Sequence, residues 1–136
     1  KTKPTFMSPF IGEFIGTALL IIMGNGVVAN VVLSKTKGQN SGWIVITLGW
    51  AMAVFLGVYA SVHFGGGGHL NPAFTLADAV FGKTKEALVL PYIAGQFAGA
   101  IAGATVRRAC DMKGIDGGAI RRAEAPVPPW RFERGG

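Results

Sequence analysis

Three apolar stretches of membrane-crossing length constrain this chain more than any other feature of its sequence. They run from about residue 10 to 33, from 43 to 62 and from 88 to 106. An α-helix rises 1.5 Å per residue, so about 20 apolar residues cross a hydrocarbon layer of about 30 Å. Only 15% of the chain is charged. We therefore predict an all-α membrane protein with three transmembrane helices, rather than a soluble or disordered protein.

The composition also excludes several classes of function. A single cysteine, Cys110, excludes an internal disulfide, and the two histidines, His63 and His69, are too few for a zinc site. The net charge is +6, but the six lysines before residue 107 lie at the edges of the apolar stretches, as expected for membrane-protein loops. We expect no metal, no cofactor, no enzymatic activity and no binding of nucleic acid.

Small residues recur at four-residue spacing within the apolar stretches. In lipid, helices associate by close backbone approach over such residues, because there is little hydrophobic drive between them. The pattern therefore predicts a tight helix bundle. Its members are Gly12 and Gly16; Gly49, Ala53, Gly57 and Ser61; and Gly95, Gly99 and Gly103.

The segment between the second and third stretches predicts a re-entrant loop. The run Gly65–Gly68 cannot hold a regular helix, whereas Asn71 is a favourable N-cap and Pro72 a favourable first helical residue. A helix over residues 72–81 spans only about 15 Å, half of the hydrocarbon layer. Irregular backbone at that depth is tolerated where it lines a cavity, and channels and transporters place selective sites there. We therefore predict a permeation protein.

The sequence His69-Leu70-Asn71-Pro72-Ala73 resembles the first Asn-Pro-Ala box of the major intrinsic protein family, the aquaporins and glycerol facilitators. Residues 13–17, 24–30 and 95–100 are similar to other motifs of that family, the second of them to bacterial glycerol uptake facilitators. The resemblance covers residues 10–106, the first of two inverted repeats. It implies half of an aquaporin-like fold in a cell inner membrane. It also implies a homo-oligomer, a tetramer, and passage of glycerol, water or other small neutral solutes through the lipid bilayer.

The resemblance also implies a role for each residue around the box. Asn71 would donate its side-chain amide to a passing solute, and Pro72 and Ala73 would hold the tip of the half-helix against the second repeat. Backbone carbonyls would accept hydrogen bonds from solute hydroxyls. These carbonyls belong to Gly67, Gly68 and His69.

Three residues outside the box complete the implied site. Glu13 and Gln96 would brace the loop, although Glu13 is also compatible with a headgroup-level position near a helix end. Trp50 would form an apolar wall of the narrow filter, as in glycerol facilitators. The glycine run is one residue longer than the family pattern, so a packing or lipid-facing role for Trp50 stays open.

The sequence departs from the family in two places. Phe74 stands where Val is usual, and Asp78 where an apolar residue is expected, near a helix C-terminus whose dipole it opposes. After Val106 we expect an atypical basic tail, residues 107–136, that is disordered or the product of a frameshift. Residues 1–9 are predicted to be a cytoplasmic N-terminal segment.

These features predict a channel truncated to its first repeat. The alternatives are a water-selective aquaporin and a non-conducting membrane fragment that only associates with other subunits. A further possibility is a pair of copies inserted in opposite orientations.

Overall fold

The computed structural model describes residues 7–114, which form four helices and contain no strand. They are α1 (Met7–Val32), α2 (Trp43–His63), α3 (Pro72–Val80) and α4 (Glu86–Gly114). Three of the helices are long and apolar enough to cross a membrane. The predicted fold class is therefore confirmed: the described part is an all-α membrane fold with three spans and one half-length helix.

The helices differ from the prediction mainly at their ends. Helix α1 begins three residues earlier than expected, because Pro9 lies in its first turn, where proline is tolerated. Helix α4 continues to Gly114, so the predicted end at Val106 was wrong. Arg107 and Ala109 are good helix formers, and the change to polar residues ends the apolar stretch without ending the helix. Residues 1–6 and the predicted tail from 115 onward lie outside the described residues.

Helices α1 and α2 cross closely in antiparallel orientation. A Cβ atom added to Gly16 would lie 2.6 Å from the carbonyl oxygen of Gly57. One added to Gly12, nearer the start of α1, would lie 2.6 Å from the carbonyl oxygen of Ser61, nearer the end of α2. The small residues of α1 and α2 thus form the contact surface that their spacing predicts.

Helices α1 and α4 pack side by side in parallel orientation. A Cβ atom on Gly95 would lie 2.5 Å from the carbonyl oxygen of Phe10, and one on Gly103 would lie 2.7 Å from that of Ala18. The later residue of α4 thus meets the later residue of α1, so the two helices run in the same direction. The start of α1, the end of α2 and the start of α4 therefore lie at one end of the bundle.

The loop between α2 and α3 turns back into the bundle from that end. Gly66 lies against Gly12, and Leu70 reaches further in, to Gly16 and Gly57. Gly16 is nine residues from the start of α1, or about 14 Å along its axis. Helix α3 then packs on α4 and returns toward the same end. The half-helix therefore begins near the middle of the long helices, as the sequence predicts.

Candidate functional site

A single buried carboxylate lies beneath the re-entrant loop. Glu13 of α1 is 0% exposed, so it lies inside the bundle and not at a helix end near the headgroups. Its Oε1 accepts hydrogen bonds from the backbone N–H groups of Gly67 and His69, both at 3.0 Å, and from the Ser61 hydroxyl at 2.9 Å. The Ser61 oxygen in turn accepts the N–H of Gly68 at 3.1 Å. Glu13 and Ser61 together therefore satisfy loop donors that face away from water.

The other carboxylate oxygen of Glu13 holds the residue before the half-helix. Its Oε2 accepts the N–H of Leu70 at 2.7 Å. Leu70 has φ 53°, a left-handed conformation that residues other than glycine rarely adopt. Its side chain is buried, and Cβ atoms added to Gly16 and Gly57 would lie 2.6 and 2.9 Å from its methyl carbons. One hydrogen bond and one close-fitting side chain thus maintain this conformation.

Gln96 of α4 links the carboxylate to the half-helix. Its side-chain amide donates to Glu13 Oε2 at 2.8 Å and to Thr75 Oγ1 at 2.9 Å, and Gln96 is only 1% exposed. Thr75 is fully buried one turn into α3, and its hydroxyl also lies 3.1 Å from Nδ1 of His69. Gln96 therefore contacts the network beneath the loop rather than the open face of the site.

Asn71 forms the tip of the half-helix. Its side-chain oxygen accepts the N–H of Ala73 at 2.9 Å, and Pro72 is the first helical residue, so the predicted N-cap is confirmed. Because the oxygen is used by the cap, the NH₂ group is the part of this exposed side chain that remains to donate to other molecules. No partner for that NH₂ group is found within residues 7–114.

A cavity of about 330 Å³ lies beside the tip. Residues of the loop and the half-helix line it: Gly68, His69, Leu70, Asn71 and Phe74. Leu20 of α1 and Val54 and Val58 of α2 also line it. A mainly apolar lining that includes the polar groups of Asn71 and His69 suits a small molecule that carries hydroxyl groups on a carbon chain. Gly67, the third predicted carbonyl, does not line this cavity and instead faces the Tyr92 ring.

Trp50 lines a neighbouring cavity and not the one at Asn71. That cavity has a volume of about 660 Å³, and Trp43, Ile46 and Asn40 also line it. Trp50 precedes Val54 by four residues, so both side chains lie on the same face of α2, one turn apart. The indole also packs on Gly24, where an added Cβ atom would lie 2.6 Å from the ring. Trp50 therefore packs against α1 and also lies next to the Asn71 cavity.

The sequence model of the family described as "Major intrinsic protein" matches residues 1–127 of the chain. The chain belongs to the major intrinsic protein family. The match continues past Val106, where the resemblance was expected to end.

Several curated members of the major intrinsic protein family are similar to this chain. It is 55% identical over 96 residues to glycerol uptake facilitator protein 3 of Lactiplantibacillus plantarum, covering 71% of this chain and 40% of that protein. It is 53% identical over 98 residues to a probable glycerol uptake facilitator protein of Thermotoga maritima, covering 72% and 42%. Aquaglyceroporin-3 of Trypanosoma brucei brucei is 45% identical over 95 residues, which cover 70% of this chain and 30% of that protein. No solved structure gives a significant match.

The matched part of the chain spans about two fifths of the length of the first of these relatives. The described residues correspond to the helices and loop of one repeat of a major intrinsic protein. Helix lengths, apolar character and family membership together make this chain part of a multi-pass membrane protein.

Both departures from the family pattern have structural partners. Phe74 is 54% exposed, lines the Asn71 cavity and contacts the His69 ring edge to face at a centroid distance of 4.9 Å. Asp78 accepts a hydrogen bond from the Thr84 hydroxyl at 2.7 Å, and its Oδ2 lies 3.8 Å from Nε2 of His69. The charge of Asp78 therefore faces a hydroxyl and an imidazole.

Three contributors to the loop network were missed from the sequence. Ser61 was recognised only as a small packing residue, although it also accepts and donates hydrogen bonds. Thr75 lies one turn after Asn71 and Tyr92 lies one turn before Gln96, so helical spacing from predicted site residues could have indicated both. Within the described residues, no group of three His, Cys, Asp or Glu side chains could hold a metal ion.

Proposed function

We propose that this chain forms one wall of a channel for passive permeation of glycerol and similar small neutral solutes. The observation that carries the proposal is the free NH₂ group of Asn71 at the half-helix tip, beside a cavity that Leu20, Val54 and Val58 also line. The relatives named glycerol uptake facilitators support the choice of solute. Permeation of this kind requires no covalent chemistry, so no enzymatic activity is proposed.

The geometry gives each part of a polyol a partner. The Asn71 amide donates to a hydroxyl oxygen, backbone carbonyls of the loop accept hydroxyl protons, and the valine side chains contact the carbon atoms. The N-terminal end of α3 carries the positive end of the helix dipole, which disfavours cations at the tip. Trp50, one turn away, supplies a further apolar surface along the path.

The remaining parts of the proposal rest on the family. Bacterial relatives support a cell inner membrane as the location. Membership of the family supports the proposal of a homo-oligomer, a tetramer with one path per subunit. Pro72 and Ala73 are proposed to hold the tip against a second half of the channel.

The proposal is tested by glycerol uptake into vesicles that contain the purified chain. Asn71→Asp preserves the cap, because Asp is as good an N-cap as Asn, but it removes the NH₂ donor. We expect the parent chain to speed glycerol-driven swelling over protein-free vesicles, and Asn71→Asp to lower this permeability about tenfold, the effect of one lost hydrogen bond. The amount of folded protein, measured by gel filtration, should be the same for both.

Three results would contradict the proposal in different ways. Parent vesicles that swell no faster than protein-free vesicles would indicate a non-conducting fragment. Vesicles permeable to water but not to glycerol would indicate a water-selective channel. Equal glycerol permeability of the parent and Asn71→Asp would show that the Asn71 amide does not contact the solute.

A further inference from the structure

Asp78 is a carboxylate in the half-helix that helix stability does not explain. It lies near the C-terminal end of α3, where a negative charge opposes the helix dipole. Its Oδ2 nevertheless accepts the Thr84 hydroxyl at 2.7 Å and lies 3.8 Å from Nε2 of His69. The side chains of Asp78 and His69 are 19% and 9% exposed, so this pair is largely shielded from water. A negative charge held in this position is expected to interact electrostatically with the imidazole ring of His69.

Groups from α3 and α4 contact the His69 ring, and a group from α1 contacts its backbone. From α3, Thr75 Oγ1 lies 3.1 Å from Nδ1, and Asp78 faces Nε2. From α4, Tyr92 contacts the ring edge to face at a centroid distance of 4.9 Å. From α1, Glu13 accepts the backbone N–H of His69 and not a ring nitrogen. The charged group that faces Nε2 is therefore Asp78.

This geometry selects one form of the neutral ring. A neutral imidazole carries its proton on one of the two nitrogens, and the other nitrogen presents a lone pair. A lone pair on Nε2 would be repelled by the Asp78 carboxylate, whereas an N–H group there is attracted to it. We infer that Asp78 is a positioning residue that keeps Nε2 of His69 protonated. The remaining nitrogen, Nδ1, is then an acceptor.

The form of the His69 ring determines a hydrogen bond at the half-helix tip. The Thr75 hydroxyl has one proton and two acceptors within range, Nδ1 of His69 at 3.1 Å and the carbonyl oxygen of Asn71 at 3.2 Å. When Nδ1 accepts, the Thr75 proton points to His69. When Nδ1 carries the proton, Thr75 donates to the carbonyl oxygen of Asn71 instead. Asp78 thus acts through His69 and Thr75 on the residue that is proposed to meet the solute.

This link to permeation rests on the proposed function, but the assignment of the His69 proton does not. It is measured by ¹⁵N magnetic resonance of the full chain in lipid bilayers, at alkaline pH so that the ring is neutral. The substitution His63→Gln makes His69 the one histidine of the chain. His63 is exposed and contacts Tyr59 and Phe64, outside the Asp78 network.

Three variants are compared with the parent in that background. Asp78→Asn removes the charge at nearly constant size, Asp78→Leu restores an apolar residue, and Glu86→Gln removes an exposed carboxylate of the first turn of α4 as a matched control. We expect the unprotonated resonance to belong to Nδ1 in the parent and in Glu86→Gln. In both Asp78 variants, the ratio of the two neutral forms should shift about tenfold toward protonated Nδ1. If Asp78→Leu does not fold, Asp78→Asn decides.

An unprotonated Nε2 in the parent, or an unchanged ratio in Asp78→Asn, would overturn the assignment. Glycerol permeability is measured on the same vesicles. A several-fold loss in Asp78→Asn, with the parent conducting, supports the link to the solute path. Equal permeability despite a shifted ratio would overturn that link. A parent that does not conduct refutes the proposed function, and the resonance comparison still decides the role of Asp78.

Discussion

At the scale of single residues, the loop depends most on the carboxylate of Glu13. Five donors converge on its two oxygens, and a carboxylate is the side chain that accepts hydrogen bonds without presenting a proton of its own. A charge buried in an apolar span is costly unless such partners surround it. The loop N–H groups would likewise lack partners without the carboxylate. Each therefore stabilises the other.

We expect Glu13→Gln to destabilise the fold by about 2–4 kcal/mol. The amide has one acceptor oxygen, and its NH₂ group would face other donors in either placement: the Leu70 N–H and the Gln96 amide at the Oε2 position, or the loop N–H groups at the Oε1 position. The loss is measured as the change in unfolding free energy in detergent. Glu86→Gln is the control, because it removes an exposed charge and should change stability by less than about 0.5 kcal/mol. Equal effects of the two substitutions would show that the buried hydrogen bonds contribute little.

The site residues differ in how far the sequence could predict them. Asn71 and Pro72 carry their own signal, because capping preferences place them at a helix start before any tertiary contact is known. Glu13 stands out as a charge within an apolar stretch. Thr75 has no capping or charge signal of its own, since a hydroxyl within a helix usually bonds to its own backbone, and only its spacing one turn after Asn71 indicates it. Its contacts with Gln96 and His69 depend on how α3 packs against α4.

At the scale of helices, the packing of α1 depends on where its glycines lie. Gly16 and Gly26 belong to the same helix but have different surroundings. A Cβ atom on Gly16 would lie 2.6 Å from the backbone of Gly57, whereas one on Gly26 would meet its nearest atom, in Arg107, at 3.8 Å. Backbone cannot move aside as a flexible side chain can. The two positions therefore form a matched pair within one helix.

We expect Gly16→Ala to destabilise the α1–α2 pair by about 1–3 kcal/mol, because the added methyl group forces the helices apart. Gly26→Ala should be neutral or stabilise the protein by up to about 1 kcal/mol, through the higher helix propensity of alanine. Thermal unfolding in detergent measures both. A destabilising Gly26→Ala together with a neutral Gly16→Ala would contradict the observed helix contact.

The ends of the helices were harder to predict from the sequence than their existence. Apolar length identified all three spans because the bilayer imposes it. A helix ends where its backbone loses hydrogen-bonding partners or favourable dihedrals, and hydropathy does not report this. At Arg107 the residues become polar while their helix propensity stays high, so α4 continues. At Gly82, by contrast, φ is 70°, and the glycine that was expected to end the half-helix lies just beyond it.

At the scale of the whole molecule, most large apolar side chains face outward. Trp43, Val80 and Phe81 are 79%, 83% and 78% exposed, and in each of the three membrane-spanning segments only 22–33% is buried within the protein. Such a surface requires lipid or further protein around it. Its charges do not fix its orientation, since Lys83 and Lys85 lie at one end of α4 and Arg107 and Arg108 near the other.

The accessibility of cysteines can determine the orientation. From Lys85 to Cys110, the chain advances about 37 Å along α4, which is more than the hydrocarbon thickness, and both residues are exposed. With the start of α1 inside the cell, Cys110 should react with a membrane-impermeant maleimide only in right-side-out vesicles. Lys85→Cys, in a Cys110→Ser background, should react only in inside-out vesicles. Cys110→Ser alone provides the unlabelled control.

Each pattern of labelling corresponds to a different arrangement of the molecule. Opposite sidedness of the two positions means that α4 crosses the bilayer in one fixed orientation. In the cell membrane, the two halves of a channel cannot then be two oppositely inserted copies of this chain, whereas vesicles reconstituted from the purified chain in both orientations can still contain such pairs. Reaction of each position from both sides in comparable amounts would instead favour a pair of oppositely inserted copies. The two copies of such a pair would contribute their half-helices from opposite sides of the membrane. Reaction of both positions from the same side would contradict a membrane-spanning α4.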